Sequence, residues 1–111
     1  PIARGILARP WNERYTKREH TDGFLHRLLR SRETEADKAI VDRVQELASK
    51  KGVSMAQVAI AWTLSKGVCP ILGLSKKERI NEAIDALQVK LSEEETQYLE
   101  APYVPKSVCG Y

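Results

Sequence analysis

Two cysteines, two histidines, one methionine and one phenylalanine in 111 residues leave little material for several kinds of chemistry. Cys69 lies in a short apolar run and Cys109 in the tail. They form neither a disulfide framework nor a metal-ligand spacing and are read as a core thiol and a tail thiol. His20 and His26 are six positions apart, with no cysteine or acidic partner at metal spacing. They are read as solvated loop residues, and no metal site is expected. No apolar run approaches the roughly 20 residues that would span a bilayer, and no signal-peptide pattern opens the chain. The chain is therefore read as a soluble cytoplasmic one with no membrane partner.

What is present is ordinary globular material, 42% apolar and 30% charged. The net charge of +3 is unevenly placed, with eight Lys/Arg against three Asp/Glu in residues 1–32 and ten against twelve in the remainder. A basic end of this kind attracts an anion, whether a cofactor phosphate or a nucleic acid, or serves solubility alone. The chain starts at Pro1, within what reads as the end of a strand passing into a loop, and is expected to be a fragment of a larger domain.

Residues 1–9 are expected to end a strand, and 10–33 form a long basic stretch without clean periodicity. From Thr34, a plausible N-cap, Ala36, Ile40, Val44, Leu47 and Ala48 mark one buried helical face that Gly52 stops. Ser54 and Gln57 form a capping box for a mostly buried helix containing Met55, Val58, Ala59, Ala61 and Trp62, which Gly67 ends. Val68–Leu72 is an apolar run without alternation, as in a strand covered on both faces. A helix from Lys76 to about Leu87 places Ile80, Ala83, Ile84 and Leu87 on one face, and Ser92–Glu95 is a capping box for a last short helix. The Glu93-Glu94-Glu95 run is helix N-terminal charge and not a metal site. Strand, helical excursion, strand, helix is α/β grammar. Two strands make no stable sheet alone, so neighbours outside this chain are implied.

The most informative stretch runs from Pro70 to Glu82, a short apolar strand passing through Gly73 into a helix with Lys76, Lys77 and Arg79 at its start. Unpaired backbone amides and the helix dipole favour an anion there, and the cationic side chains add to both. Ser75 as N-cap with Glu78 three residues later would complete a capping box at the junction. The same pattern also describes a solvated surface helix.

Pro1-Ile2-Ala3-Arg4-Gly5 resembles the Ser-Pro-Leu-Ala-x-Gly segment of aldo-keto reductases, and Gly73–Glu82 resembles their adenine-phosphate segment. Gly52–Trp62 is similar to the Ala-Gln-Val-Ala-Leu-Ala-Trp helix of that family, and Ala101–Pro105 resembles the branch of aryl-alcohol-dehydrogenase-like and versiconal-type reductases. The resemblance covers nearly the whole of residues 1–111. It implies the C-terminal portion, about the last third, of a TIM-type (α/β)8 barrel, mostly helical with two short strands, with phosphate sites after strands seven and eight.

It also implies an NADP(H)-dependent oxidoreductase acting on aldehydes, ketones or the corresponding alcohols. Pro1, Ile2, Ala3 and Arg4 would line the pyrophosphate and nicotinamide side, with Arg18 a looser candidate for the pyrophosphate. Gly73 would let the backbone approach the nucleotide, Ser75 and Lys76 would contact the phosphate on the adenosine ribose, and Arg79 would stack on or bind beside the adenine and that phosphate. Glu82 would accept from the adenine amino group. Ala83 stands where the family often has Asn, which removes one hydrogen bond worth roughly 1 kcal/mol. The family's tetrad of tyrosine, lysine, aspartate and histidine lies on earlier strands, so no catalytic residue is assigned here, Tyr15, Tyr98, Tyr103 and Tyr111 included. The expected partners are a small carbonyl or alcohol substrate and the remainder of the barrel, without nucleic acid.

Two alternatives stay open. One is a non-catalytic cofactor-binding or scaffolding subunit. The other is a helix-turn-helix around Gly52, although between Ser54 and Lys66 only Gln57 belongs to the usual base readers. Trp62 is expected in the core, and Trp11 either borders the cofactor loop or anchors it.

Overall fold

The computed structural model describes residues 1–13, 21, 23 and 34–107. Arg18, both histidines, Tyr15, Cys109 and Tyr111 lie outside them. Within the continuously described stretches the helices are α1 (Glu35–Lys51), α2 (Met55–Ser65), α3 (Lys77–Asp85) and α4 (Glu93–Glu100), with 3₁₀ turns at Ala3–Ala8 and Ala86–Gln88.

Of these four helices, three have their starts set by their own side chains. Thr34 and Asp37 close a reciprocal capping box on α1, as do Ser54 and Gln57 on α2, and Ser92 and Glu95 on α4. Gly52 stops α1 in the left-handed conformation at φ 65°, its amide donating to Ala48 and Ser49 carbonyls while that of Val53 reaches Ala48. The three-residue link Gly52–Ser54 then folds α2 back on α1. Val41, Val44, Leu47 and Ala48 of α1 meet Met55 and Val58 of α2 and Leu99 of α4 in one core cluster. Val44, Leu47 and Ala48 are buried as expected, while at the start of that face Val41 is buried and Ala36 and Ile40 are only half-buried.

Trp62 is half-buried against this core, its indole N–H donating to Glu100 Oε1 at 2.8 Å, and Glu100 also pairs with Lys66. Trp11 packs on the same cluster as a hydrophobic anchor. The N-terminal 3₁₀ turn lies against α2 and α1, and α3 against α2.

The expected strands are absent among the described residues. Residues 1–9 contain the Ala3–Ala8 3₁₀ turn in place of a strand end, kinked where Ala3, Arg4 and Gly5 take φ of 48°, 57° and 98°. Residues 68–74 are irregular, with Ile71 93% exposed, and Cys69 is an exposed thiol where a core one was expected. A strand exists only through a neighbour's hydrogen bonds, and no second extended segment lies beside this one among the described residues. The face of Ile80, Ile84 and Leu87 is exposed for the same reason. The expected junction also shifts: α3 begins at Lys77 with Lys76 as N-cap, and neither Ser75 nor any other described side chain caps it.

The caps carry a pH signature. Burial raises the Asp37 carboxyl, but hydrogen bonds from Lys106 and Thr34 outweigh it and hold it below its ordinary value. The Ser92 amide does the same for Glu95, and Lys66 and Trp62 for Glu100. Carboxyls depressed in the folded state contribute stability above their unfolded pKa of about 4, and that contribution is lost as pH falls through the lower folded values. Urea midpoints are therefore expected to fall between pH 5 and about 3, and Asp37→Asn with Glu95→Gln to flatten that slope.

Candidate functional site

The floor of the main cleft is the buried flank of α2, Ala56 and Ile60. Because α2 packs on both the N-terminal turn and α3, it brings together two segments some seventy residues apart in sequence. Pro1, Ile2, Arg4, Gly5 and Arg9 form one wall, and Leu72–Ser75 with Arg79, Glu82 and Ala83 form the other. The open cleft has a volume of about 790 Å³, within the range of cofactor-sized sites.

Of the residues singled out from sequence, Pro1, Ile2, Arg4, Gly73, Ser75, Arg79 and Glu82 line this cleft. Ala3 turns instead toward an apolar hollow with Ile6, Leu7 and Trp11, and Lys76 is exposed beyond the cleft wall. Arg18 lies outside the described residues.

The cleft carries three guanidinium groups, from Arg4, Arg9 and Arg79. Arg79 is in the first turn of α3 and its Nη1 donates to Glu82 Oε2 at 2.9 Å. Burial pushes the Glu82 carboxyl up, but the Ser54 hydroxyl and Arg79 hold it below its ordinary value, so it is ionised at neutral pH. No described side chain caps α3, which leaves its first amides to solvent or to an anion. Planar cations, an open helix start and a glycine-lined approach are chemically suited to an anion, and the Glu13 and Glu82 carboxylates line the same cleft.

Arg9 was not singled out from sequence. It is one of eight cations in the first 32 residues, and only the kink at Gly5 selects it. A Cβ on Gly5 would stand 3.0 Å from Arg9 Nη2, and the residue's φ of 98° is unfavourable for any other side chain. Gly5→Ala is expected to cost about 1–3 kcal/mol, read from urea unfolding, and to displace Arg9 from the cleft.

The aldo/keto reductase family profile matches residues 1–103. A versiconal hemiacetal acetate reductase of Aspergillus parasiticus is 62% identical over 109 residues, 97% of this chain and 32% of that protein. A Saccharomyces cerevisiae protein described provisionally as an aryl-alcohol dehydrogenase is 47% identical over 96% of this chain and 31% of its own length. An aldo-keto reductase of Alternaria alternata is 39% identical over 99% of the chain and 29% of its own. The chain spans about a third of the length of these relatives. The family's fold is a TIM barrel, of which this mostly helical segment is a part. By profile and by identity, this chain belongs to the aldo/keto reductase family.

Proposed function

We propose that the protein is an NADP(H)-dependent oxidoreductase that reduces aldehydes or ketones to alcohols, and that residues 1–111 supply one part of its cofactor site and none of its catalytic tetrad. The observation that supports this reading best is the cleft itself. Arg79 and Arg4 approach one space from opposite walls, with Gly73 on the rim and an uncapped helix start beside it. Family membership supplies the reaction class.

Bound there, the nicotinamide would provide the hydride, which is the cofactor's chemistry. The chain's own residues bind and orient. Arg79 offers a planar fork to the phosphate on the adenosine ribose, Ser75 and Gly73 bring backbone and hydroxyl close to it, and Lys76 adds positive potential from outside the wall. Pro1, Ile2 and Arg4 border the pyrophosphate and nicotinamide end, with Arg18 as a further cation for the pyrophosphate. The substrate class is a small carbonyl compound. The Aspergillus relative is named for a hemiacetal, which is a masked carbonyl. A cytoplasmic location fits such a cofactor, and no described helix is long and apolar enough to cross a membrane.

A nucleic-acid role has little support from α2. It buries Met55, Ala56, Val58, Ala59, Ile60 and Ala61, and its one base-reading side chain, Gln57, is hydrogen-bonded to Ser54 and Glu82.

The test is NADPH oxidation by the native protein against a panel of aromatic and aliphatic aldehydes and ketones. Turnover with NADPH, much slower with NADH, is the expected result. NADPH binding without turnover of any carbonyl would point to a scaffolding subunit instead.

A further inference from the structure

Gln57 does two things at once. Its side-chain carbonyl accepts from the Ser54 amide at 3.0 Å, closing the capping box of α2. Its side-chain N–H₂ donates to the backbone carbonyl of Glu82 at 3.0 Å, in α3 and 25 positions away. That contact is partly buried, where a lost partner costs more than at the surface. One turn earlier on α3, Arg79 is held by the Glu82 carboxylate at 2.9 Å. Both walls of the cleft rest on α2, so a bond from its N-terminus to α3 fixes how far α3 stands from the floor.

We infer that Gln57 is a positioning residue for Arg79, its amide holding the Glu82 backbone and, through it, the Arg79–Glu82 pair at the cleft wall. This rests on the nucleotide-binding reading of the cleft. Glu82 is engaged by Gln57 at its backbone carbonyl and by Arg79 at its carboxylate before any ligand arrives. Its chief role in this arrangement is to aim a guanidinium.

Gln57→Glu keeps the capping box, because Glu serves at that position as well as Gln, but it cannot donate to the Glu82 carbonyl. Gln57→Met removes the donor without adding charge, and with it the capping acceptor that Gln57→Glu retains. Both variants are expected to raise the NADPH dissociation constant of the native protein about 5- to 10-fold, as for one lost partly buried hydrogen bond. In an Arg79→Ala background the same changes are expected to cost about twofold or less, because coupled residues are non-additive. Arg79 should also react faster with phenylglyoxal in either variant, as read by peptide mass spectrometry.

A loss of the same size with and without Arg79, or a loss confined to Gln57→Glu, overturns the inference while leaving the nucleotide reading standing. If the native protein binds no NADPH, the nucleotide reading fails, and the labelling rate alone decides the positioning role: unchanged Arg79 reactivity in both variants overturns it.

Discussion

Arg79→Ala is expected to raise the NADPH dissociation constant about 10- to 100-fold and to change NADH binding little, since hydrogen bonds to charged groups are worth about 1.5–3 kcal/mol. Arg79 lies in the first turn of α3, on the cleft wall, where the helix dipole reinforces a cation's attraction for phosphate. Its planar fork can bind two phosphate oxygens at once, which a lysine cannot do. Lys76→Ala, one exposed point charge outside the wall, is expected to cost only about 2- to 5-fold and to lose its effect at high salt. The stability of the two variants should hardly differ from that of the parent, because the Arg79 side chain is 61% exposed and surface pairs contribute little.

The second large effect is on the fold. Val58→Asp is expected to destabilise the protein by about 3–5 kcal/mol or more, a large share of the 5–15 kcal/mol that holds a typical domain together. Val58 is fully buried at 0% exposure, in the cluster where α1, α2 and α4 meet. No charged side chain is buried among the described residues, so an aspartate there would have no partner and would have to be buried neutral or drag water in. Because α2 is also the floor of the cleft, nucleotide binding should disappear together with the unfolding transition. Thermal and urea unfolding of the two proteins, followed by circular dichroism, checks the magnitude. Val58→Ala should cost clearly less, since it leaves a small cavity and no charge.

The two capping boxes at Ser54 and Ser92 were legible because a box is a local object: its partners are three residues apart and need nothing else. Ser75-x-x-Glu78 has the same spelling and forms none. A cap contributes only about 1 kcal/mol, and here the chain before α3 is committed to the cleft rim, where Leu72–Ser75 pass the floor made by α2. Tertiary placement moved the helix start one residue on, to Lys77. Strands are non-local by definition. The composition of Val68–Leu72 states what would bury it, yet nothing in those five residues supplies the neighbour that makes it a strand.

The cleft was legible in proportion to how contiguous its parts are. Gly73, Ser75, Arg79 and Glu82 stand close in sequence and could be read as a group. Arg9 could not, because its place depends on three consecutive positive φ values at Ala3, Arg4 and Gly5, of which only the glycine announces itself. Gln57 was legible as a cap but not as a tie to Glu82, since that contact joins positions 25 apart. Its pull on Arg79 follows from the packing of α2 against α3 and from no local pattern.

The central claim is that this cleft discriminates nucleotides by the phosphate on the adenosine ribose. Fluorescence titration of the native protein with NADPH and with NADH, side by side and at two salt concentrations, tests it most directly. Binding of NADPH at least tenfold tighter than NADH, with an advantage that shrinks in Arg79→Ala, is the predicted result. Equal affinity for the two nucleotides, or binding of neither, would contradict it.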